Sequence, residues 1–406
     1  MNIAISSPDG LGDFILRLPL FRALEKAGHT LQIWMLSPAA ELAAIVLPNA
    51  RIQRIATHPY TREARQAWRP FVNEFDRIKS LPSDRYVVAL YQPSFFDEMW
   101  IDHGDKNIPI AGLVSRDVFW PSETIRPARE LAESYSIRAF VDGDQPEIEK
   151  NRALAEAILG HPCGEDAYLE VSPAARELGS HLLREQHLAG KKFWLVCVGS
   201  RPGLDAKDWG EANWIAALSA LEKTGDHTFL FIGNESESAS IERIRHSLAS
   251  PQNHRNLAST PLGFETALGL AALSEGYLGR DSGPMHLVAA VGRPVLAVFA
   301  GGHWGRFFPQ VSRAIVLGAR GACRGCALRD APHDPWCVKN LPVSEVLEAW
   351  QRLPATSSLE IRQWRPDGAP LDSDFVRQAL ENRRSRMRQD RPRNKFHALA
   401  RRLVSR

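Results

Sequence analysis

Short apolar runs alternate along the chain with longer stretches of helical period. Asn2–Ser6 is a compact apolar run, and Phe14, Leu18, Phe21 and Leu24 then recur at helical spacing through Ala27. Leu31–Leu36 and Arg51–Ile55 read as strands around a helix over Glu41–Leu47, and Tyr86–Leu90 reads as another strand. Residues 161–173 hold two prolines and Gly164 and read as a linker. The alternation restarts with strands at Phe193–Val198 and Phe229–Ile232 and helices at Glu211–Lys223 and Ser236–Ala249. Strands at Tyr277–Gly279 and Val295–Phe299 flank a helix over Pro284–Val291. Strand–helix alternation with apolar strands predicts an α/β fold built on parallel sheets with helices on both faces. The expected division is a first domain at 1–165, a second at 173–353 and a tail at 354–406.

Charge changes the picture only at the tail. The whole chain of 406 residues sums to +3, but residues 383–406 hold ten Lys or Arg and one Asp. That segment is +9, so the first 382 residues sum to −6, which does not suggest nucleic-acid binding. Phe396, Leu399 and Leu403 fall on one helical face amid the basic residues, a pattern that suits an anionic membrane surface as well as a solvated arm. No run reaches the roughly 18 apolar residues of a membrane span. The N-terminus enters a strand without signal-peptide zones, and five cysteines are too few for a disulfide scaffold. The expectation is a cytoplasmic protein, with peripheral contact to an inner membrane through its tail.

Four segments carry candidate chemistry. Gly10-Leu11-Gly12-Asp13 sits between the first strand and the first helix, where a doubly wound fold gathers ligands. Position 15 is Ile, so the dinucleotide fingerprint is absent. Asp13 equally fits a cap on a helix beginning at Phe14. Arg280-Asp281-Ser282-Gly283-Pro284-Met285-His286 follows a strand and opens a helix, a natural phosphate site, although Asp281 would repel a phosphate unless turned aside. Gly199-Ser200-Arg201 with Lys207-Asp208-Trp209 forms a loop whose lysine can neutralise a leaving phosphate or simply face solvent. Glu237, after Gly233-Asn234, can hold ribose hydroxyls or merely open a helix.

Two further patterns carry less. Asp142-Gly143-Asp144 spells a metal-dependent sugar-transferase triplet but reads as far from any strand end. Cys323, Cys326, His333 and Cys337 have near-zinc spacing, and packing or reduced cysteines explain them as well.

Together these motifs resemble the lipopolysaccharide heptosyltransferases, glycosyltransferase family 9, over roughly residues 1–350. Asp281-Ser282-Gly283-Pro284-Met285-His286-Leu287, followed by Ala289-Ala290-Val291-Gly292-Arg293-Pro294, looks like the family's long terminal block, with Val288 replacing an alanine. Gly10-Leu11-Gly12-Asp13 resembles its opening motif, and Lys207-Asp208-Trp209 its K-x-W element. Phe299-Ala300-Gly301-Gly302 departs from the family's usual Phe-Gly-Pro-Thr.

The resemblance implies a GT-B fold: two Rossmann-like domains face across a cleft, with the basic C-terminal extension added here. It implies an inverting glycosyltransferase that needs no metal or other cofactor. Heptose from ADP-heptose would move to a lipopolysaccharide core or other glycan acceptor. Asp13 and Lys207 are the expected catalytic pair. Gly12, Gly199, Ser200, Glu237, Asp281, Ser282, Gly283 and His286 are expected around the nucleotide sugar. Arg62, Arg65 and Arg116, with Arg69 beside them, are candidates for an anionic acceptor, since guanidinium forks grip carboxylates and phosphates well. A transferase acting on a protein hydroxyl, a nucleotide-sugar epimerase of similar architecture and a non-catalytic docking protein are the competing readings.

Overall fold

The computed structural model describes residues 1–56, 68–91, 93–115, 128–143, 145–199, 207–300, 305–319 and 336–364. The first half forms a six-stranded sheet of β1 (Asn2–Ser6), β2 (Thr30–Leu36), β3 (Arg51–Ile55), β4 (Arg85–Val88), β5 (Ile110–Ser115) and β6 (Ile137–Val141). The second half forms a seven-stranded sheet of β7 (Phe193–Cys197), β8 (Thr228–Phe231), β9 (Arg255–Asn256), β10 (Gly276–Arg280), β11 (Val295–Phe299), β12 (Ala314–Ala319) and β13 (Glu360–Trp364). Strand order is β3-β2-β1-β4-β5-β6 in the first and β13-β12-β11-β10-β7-β8-β9 in the second. Every pairing is parallel. Central strands such as Val295–Phe299 are apolar throughout because helices cover both faces.

Five helices position the site: α1 (Leu11–Lys26), α2 (Glu147–Leu159), α3 (Pro173–Glu185), α4 (Phe264–Leu273) and α5 (Gly283–Ala290). Helix α1 is buried almost all round from Phe14 to Leu20, since it packs on its own sheet, on α2 and on α5 of the other half. One apolar core therefore runs from Ile3 and Ile5 through Leu18 to Met285, Leu287 and Phe299.

The expected linker is indeed without regular structure between α2 and α3, but its middle is tied to both halves. Arg22 of α1 donates to the Asp166 carbonyl at 2.9 Å, and the Leu169 amide donates to the carbonyl of Ala290 at 2.7 Å. Beyond Pro354, where the sequence pattern fades, β13 adds an edge strand alongside β12. The tail from residue 365 lies outside the described residues, as does its expected amphipathic face. Among the described residues, no helix is long and apolar enough to cross a membrane.

Helices α3 and α4 cross closely. Ser172 caps α3 by accepting from the Ala175 amide at 3.1 Å, with Pro173 preset for the first turn. Gly179 and Gly269 then let the two backbones meet: a Cβ on Gly269 would lie 1.9 Å from the Ala175 carbonyl oxygen. Overpacking of this kind costs about 1–3 kcal/mol, and roughly 2–4 °C of Tm per kcal/mol is expected at this domain size. Gly269→Ala should therefore melt several degrees low in differential scanning calorimetry. Gly164→Ala, where a Cβ meets nothing within 4 Å, is the control. Equal melting of the two variants would contradict the packing account.

Candidate functional site

Both sheets have a point where strand order reverses, and both points lie at the interface of the halves. In the first sheet it falls between β1 and β4, and in the second between β7 and β10. Such a crevice, at the carboxyl ends of the strands, is where open α/β sheets bind ligands. Gly10-Leu11-Gly12-Asp13 makes the turn from β1 into α1, and Asp281-Ser282-Gly283 the turn from β10 into α5.

Asp13 is not the cap of its helix. Gly10 occupies that position, and the Phe14 amide bonds back to the Gly10 carbonyl at 3.1 Å. The helix begins at Leu11, three residues earlier than hydrophobic spacing indicates, because the glycines wind into its first turn. Asp13 is thus the third helical residue, beside free N–H groups that favour a carboxylate. A Cβ on Gly10 would lie 3.6 Å from its Oδ2. The side chain keeps one partly exposed face, yet protein surrounds the rest, and burial pushes its pKa up to about 7. Asp9 and Glu147 add to the rise, while Arg17 and Arg306 oppose it. Arg17 is itself buried, held by the Ser7 hydroxyl at 2.5 Å and the Asp9 carboxylate at 2.8 Å.

On the other side of the interface, within the second half, Lys207 pairs with Asp281. Its Nζ lies 2.6 Å from Oδ2, with the lysine side chain 27% exposed and the aspartate 6%. The concern that Asp281 would repel a phosphate is thereby met: its charge faces an ammonium. Ser282 is the N-cap of α5 but does not cap it with its hydroxyl, which lies 2.9 Å from the Tyr277 hydroxyl. The amides opening α5 therefore lack a side-chain acceptor from their own cap residue.

Glu237 lies buried between the ends of β7 and β8. A Cβ on Gly199 would come within 2.7 Å of its Cβ, and one on Gly233 within 2.7 Å of its Oε2. Its carboxylate accepts from the Asn234 amide at 2.8 Å and pairs with Arg280. Trp209, the aromatic end of the Lys207 motif, is core: it stacks edge-on to Trp214 and donates to the Leu341 carbonyl at 2.8 Å.

The two loops meet at α1 and α5. A Cβ on Gly12 would lie 2.6 Å from the His286 ring, and one on Gly283 would lie 3.1 Å from the Leu11 Cβ. Only glycine fits at Gly12 without displacing the ring. His286 is buried, and among the described residues its Nδ1 has no hydrogen-bond partner. Burial draws its pKa down to about 4; Asp281 opposes the fall and Lys207 assists it. The imidazole is neutral at physiological pH.

Sequence reasoning missed a polar cluster beside Asp13. Glu147 opens α2, and its carboxylate accepts from Lys150 and Arg306, each at 2.7 Å. Lys150 also donates to the Gly143 carbonyl at 2.9 Å and lies 4.1 Å from the centre of the Tyr91 ring. Helix α2 escaped because its buried face carries Glu147, Lys150 and Asn151, which read as solvent-facing in a one-dimensional pattern. Arg280, the partner of Glu237, was visible only as part of a motif.

The Asp142-Gly143-Asp144 triplet is corrected in position: it follows β6 directly and is not remote from strand ends. Asp144, Ser200, Arg62, Arg65, Arg116, Cys323, Cys326 and His333 lie outside the described residues, as do the side chains of Arg69 and Cys337. Among the described residues, no cluster of His, Cys, Asp and Glu is suited to hold a metal ion.

The model of glycosyltransferase family 9 (heptosyltransferase) matches residues 126–336. No curated protein matches the chain. Among solved structures, similarity extends to ADP-heptose LPS heptosyltransferase II of E. coli, at 18% identity and TM-score 0.60, covering 87% of this chain and 98% of that one. E. coli heptosyltransferase WaaC with ADP gives 16% identity and TM-score 0.59, covering 87% and 100%. The glycosyl transferase family 9 protein of Veillonella parvula DSM 2008 gives 13% and 0.64, covering 87% and 96%. At such identities the likeness speaks for the fold, which is GT-B.

His286 generates a pH prediction. Its pKa is lower folded than unfolded, so the unfolded chain binds the extra proton between about 6.5 and 4. Stability from this group is full above about 6.5 and is lost as pH falls toward 4. In urea titrations, His286→Gln should lose less stability than the parent between pH 7 and pH 5. An identical loss in both proteins would contradict the buried neutral imidazole.

Proposed function

Since the chain belongs to glycosyltransferase family 9 and is a glycosyltransferase, we propose that it moves heptose from ADP-heptose onto a hydroxyl of a lipopolysaccharide core. We further propose that the transfer inverts the anomeric carbon and needs no divalent metal. One observation carries this reading: the two strand-order reversals face each other, with a carboxylate on one side and a cation beside a helix N-terminus on the other.

The proposed roles follow from charge. A sugar hydroxyl is a weak nucleophile, and a carboxylate that takes its proton during attack makes it a stronger one. Asp13 suits that task, because a base with a pKa near 7 is ionised at working pH and still holds a proton well. On the other side, the leaving diphosphate gains charge in the transition state, and fixed donors stabilise it. Lys207 and the amides opening α5 supply a point charge and a dipole end. Asp281 holds Lys207 in place. We assign the ribose hydroxyls to Glu237, in the turn after β8.

The test is product formation from ADP-heptose and deacylated lipopolysaccharide core, read by mass spectrometry. Transfer by the parent should rise with pH through about 7 as Asp13 ionises. Asp13→Ala should lose about 10²–10⁴ in rate while still binding ADP. Lys207→Ala should weaken ADP binding roughly tenfold to a hundredfold, since a charge-assisted contact is worth about 1.5–3 kcal/mol. A near-normal rate in folded Asp13→Ala would remove the base assignment. Strict dependence on a divalent ion would remove the metal-free reading.

A further inference from the structure

Glu147 and Arg306 belong to different halves of the molecule. Glu147 opens α2, immediately after the last strand of the first sheet. Arg306 lies in the turn between β11 and β12 of the second. They meet through three bonds: the Glu147 amide to the Arg306 carbonyl at 2.8 Å, and the guanidinium Nε and Nη2 to Glu147 Oε1, both at 2.7 Å. Arg306 also lies 5.5 Å from the Tyr91 ring centre and 5.2 Å from that of Phe307. Tyr91 stands just beyond β4, at the strand-order reversal of the first sheet. The bridge thus lies within electrostatic reach of Asp13.

We propose that Glu147 and Arg306 form an interdomain latch that holds the halves at this spacing and places one negative and one positive charge beside Asp13. Both are positioning residues, acting through Asp13. The inference rests on the proposed role of Asp13 for its bearing on catalysis, but not for its electrostatics.

The charged and titratable groups around Asp13 come from every neighbouring element. Asp9 and Arg17 come from its own loop and helix, Glu147 and Lys150 from α2, His286 from α5, and Arg306 from the β11–β12 turn. Asp9 and Arg17 are paired with each other, and His286 is neutral. Glu147 remains ionised: burial works against its charge, but Arg306 and Lys150 outweigh burial and hold its pKa down to about 2. Lys150 spends its charge on Glu147 and Gly143 at the far side of that carboxylate. The latch pair is therefore the adjustable part of the field. A change in domain spacing would alter it, because its two ends ride on different sheets.

An opposed pair gives opposed predictions. Removing the carboxylate should favour the ionised form at position 13, and removing the guanidinium should disfavour it. A purely structural role would loosen the cleft in either variant and move both the same way. The reporter is the thiol in an Asp13→Cys variant of the full-length protein. Its alkylation by iodoacetamide is followed against pH, with the peptide containing position 13 resolved by mass spectrometry from the five native cysteines. Adding Glu147→Gln should lower the alkylation midpoint by about one pH unit, and adding Arg306→Gln should raise it by about one. The double change should return it near the Asp13→Cys parent. Glu147→Gln leaves Lys150 buried beside a neutral side chain and can compromise folding. Arg306→Gln keeps the Glu147–Lys150 pair and is sufficient by itself. Midpoints that stay fixed, or that move in one direction for both variants, overturn the latch. The acid limb of transfer from ADP-heptose in the Asp13 enzymes is then measured with the same two substitutions. Opposite thiol shifts with an unmoved acid limb leave the latch standing and overturn only the base assignment.

Discussion

The site depends on one close approach, that of the first turn of α1 to the first turn of α5. Gly12 faces His286 and Gly283 faces Leu11, and a single methyl at Gly12 would overlap the imidazole ring. Protein interiors are packed too tightly to absorb such an overlap without moving a backbone. Because α1 and α5 each follow the central strand of their sheets, this contact brings two strand-order reversals to one interface. The buried core that passes from β1 through α1 into α5 then fixes the arrangement from behind.

That approach explains the electrostatics as well. It buries Asp13 partly and His286 fully, and burial disfavours charge in both, raising one pKa and lowering the other. The result is an interface where a carboxylate titrates near neutral pH while the adjacent imidazole stays neutral. Charges that must remain are paired: Lys207 with Asp281, Arg280 with Glu237, Arg17 with Asp9, and Arg306 with Glu147. Each pair sits at the end of a strand or the start of a helix, so it also fixes a loop.

Much of the architecture was legible in the chain. Buried parallel strands are apolar on both faces, so Asn2–Ser6 and Val295–Phe299 stood out at their true bounds, and Arg51–Ile55, largely exposed, was found through the alternation of strands and helices. The glycine loops and the Ser282–His286 block were legible because their spacing reflects local backbone geometry. What escaped was long-range. Helix α2 hides behind Glu147, Lys150 and Asn151, whose burial depends on partners as distant as Arg306. The start of α1 was misplaced because glycine scores as a breaker, although Gly10 is its N-cap and Gly12 lies within its first turn. The role of Asp281 as partner of Lys207 spans 74 residues and leaves no local trace.

The most direct measurement is a crystal structure of the protein with ADP bound. The account predicts the diphosphate within hydrogen-bond distance of Lys207 Nζ and the amides opening α5, with the adenosine ribose toward Glu237. The Asp13 carboxylate should face the open side of the diphosphate across the interface. A nucleotide seated on the first sheet, or on the second but away from Lys207 and α5, would contradict it.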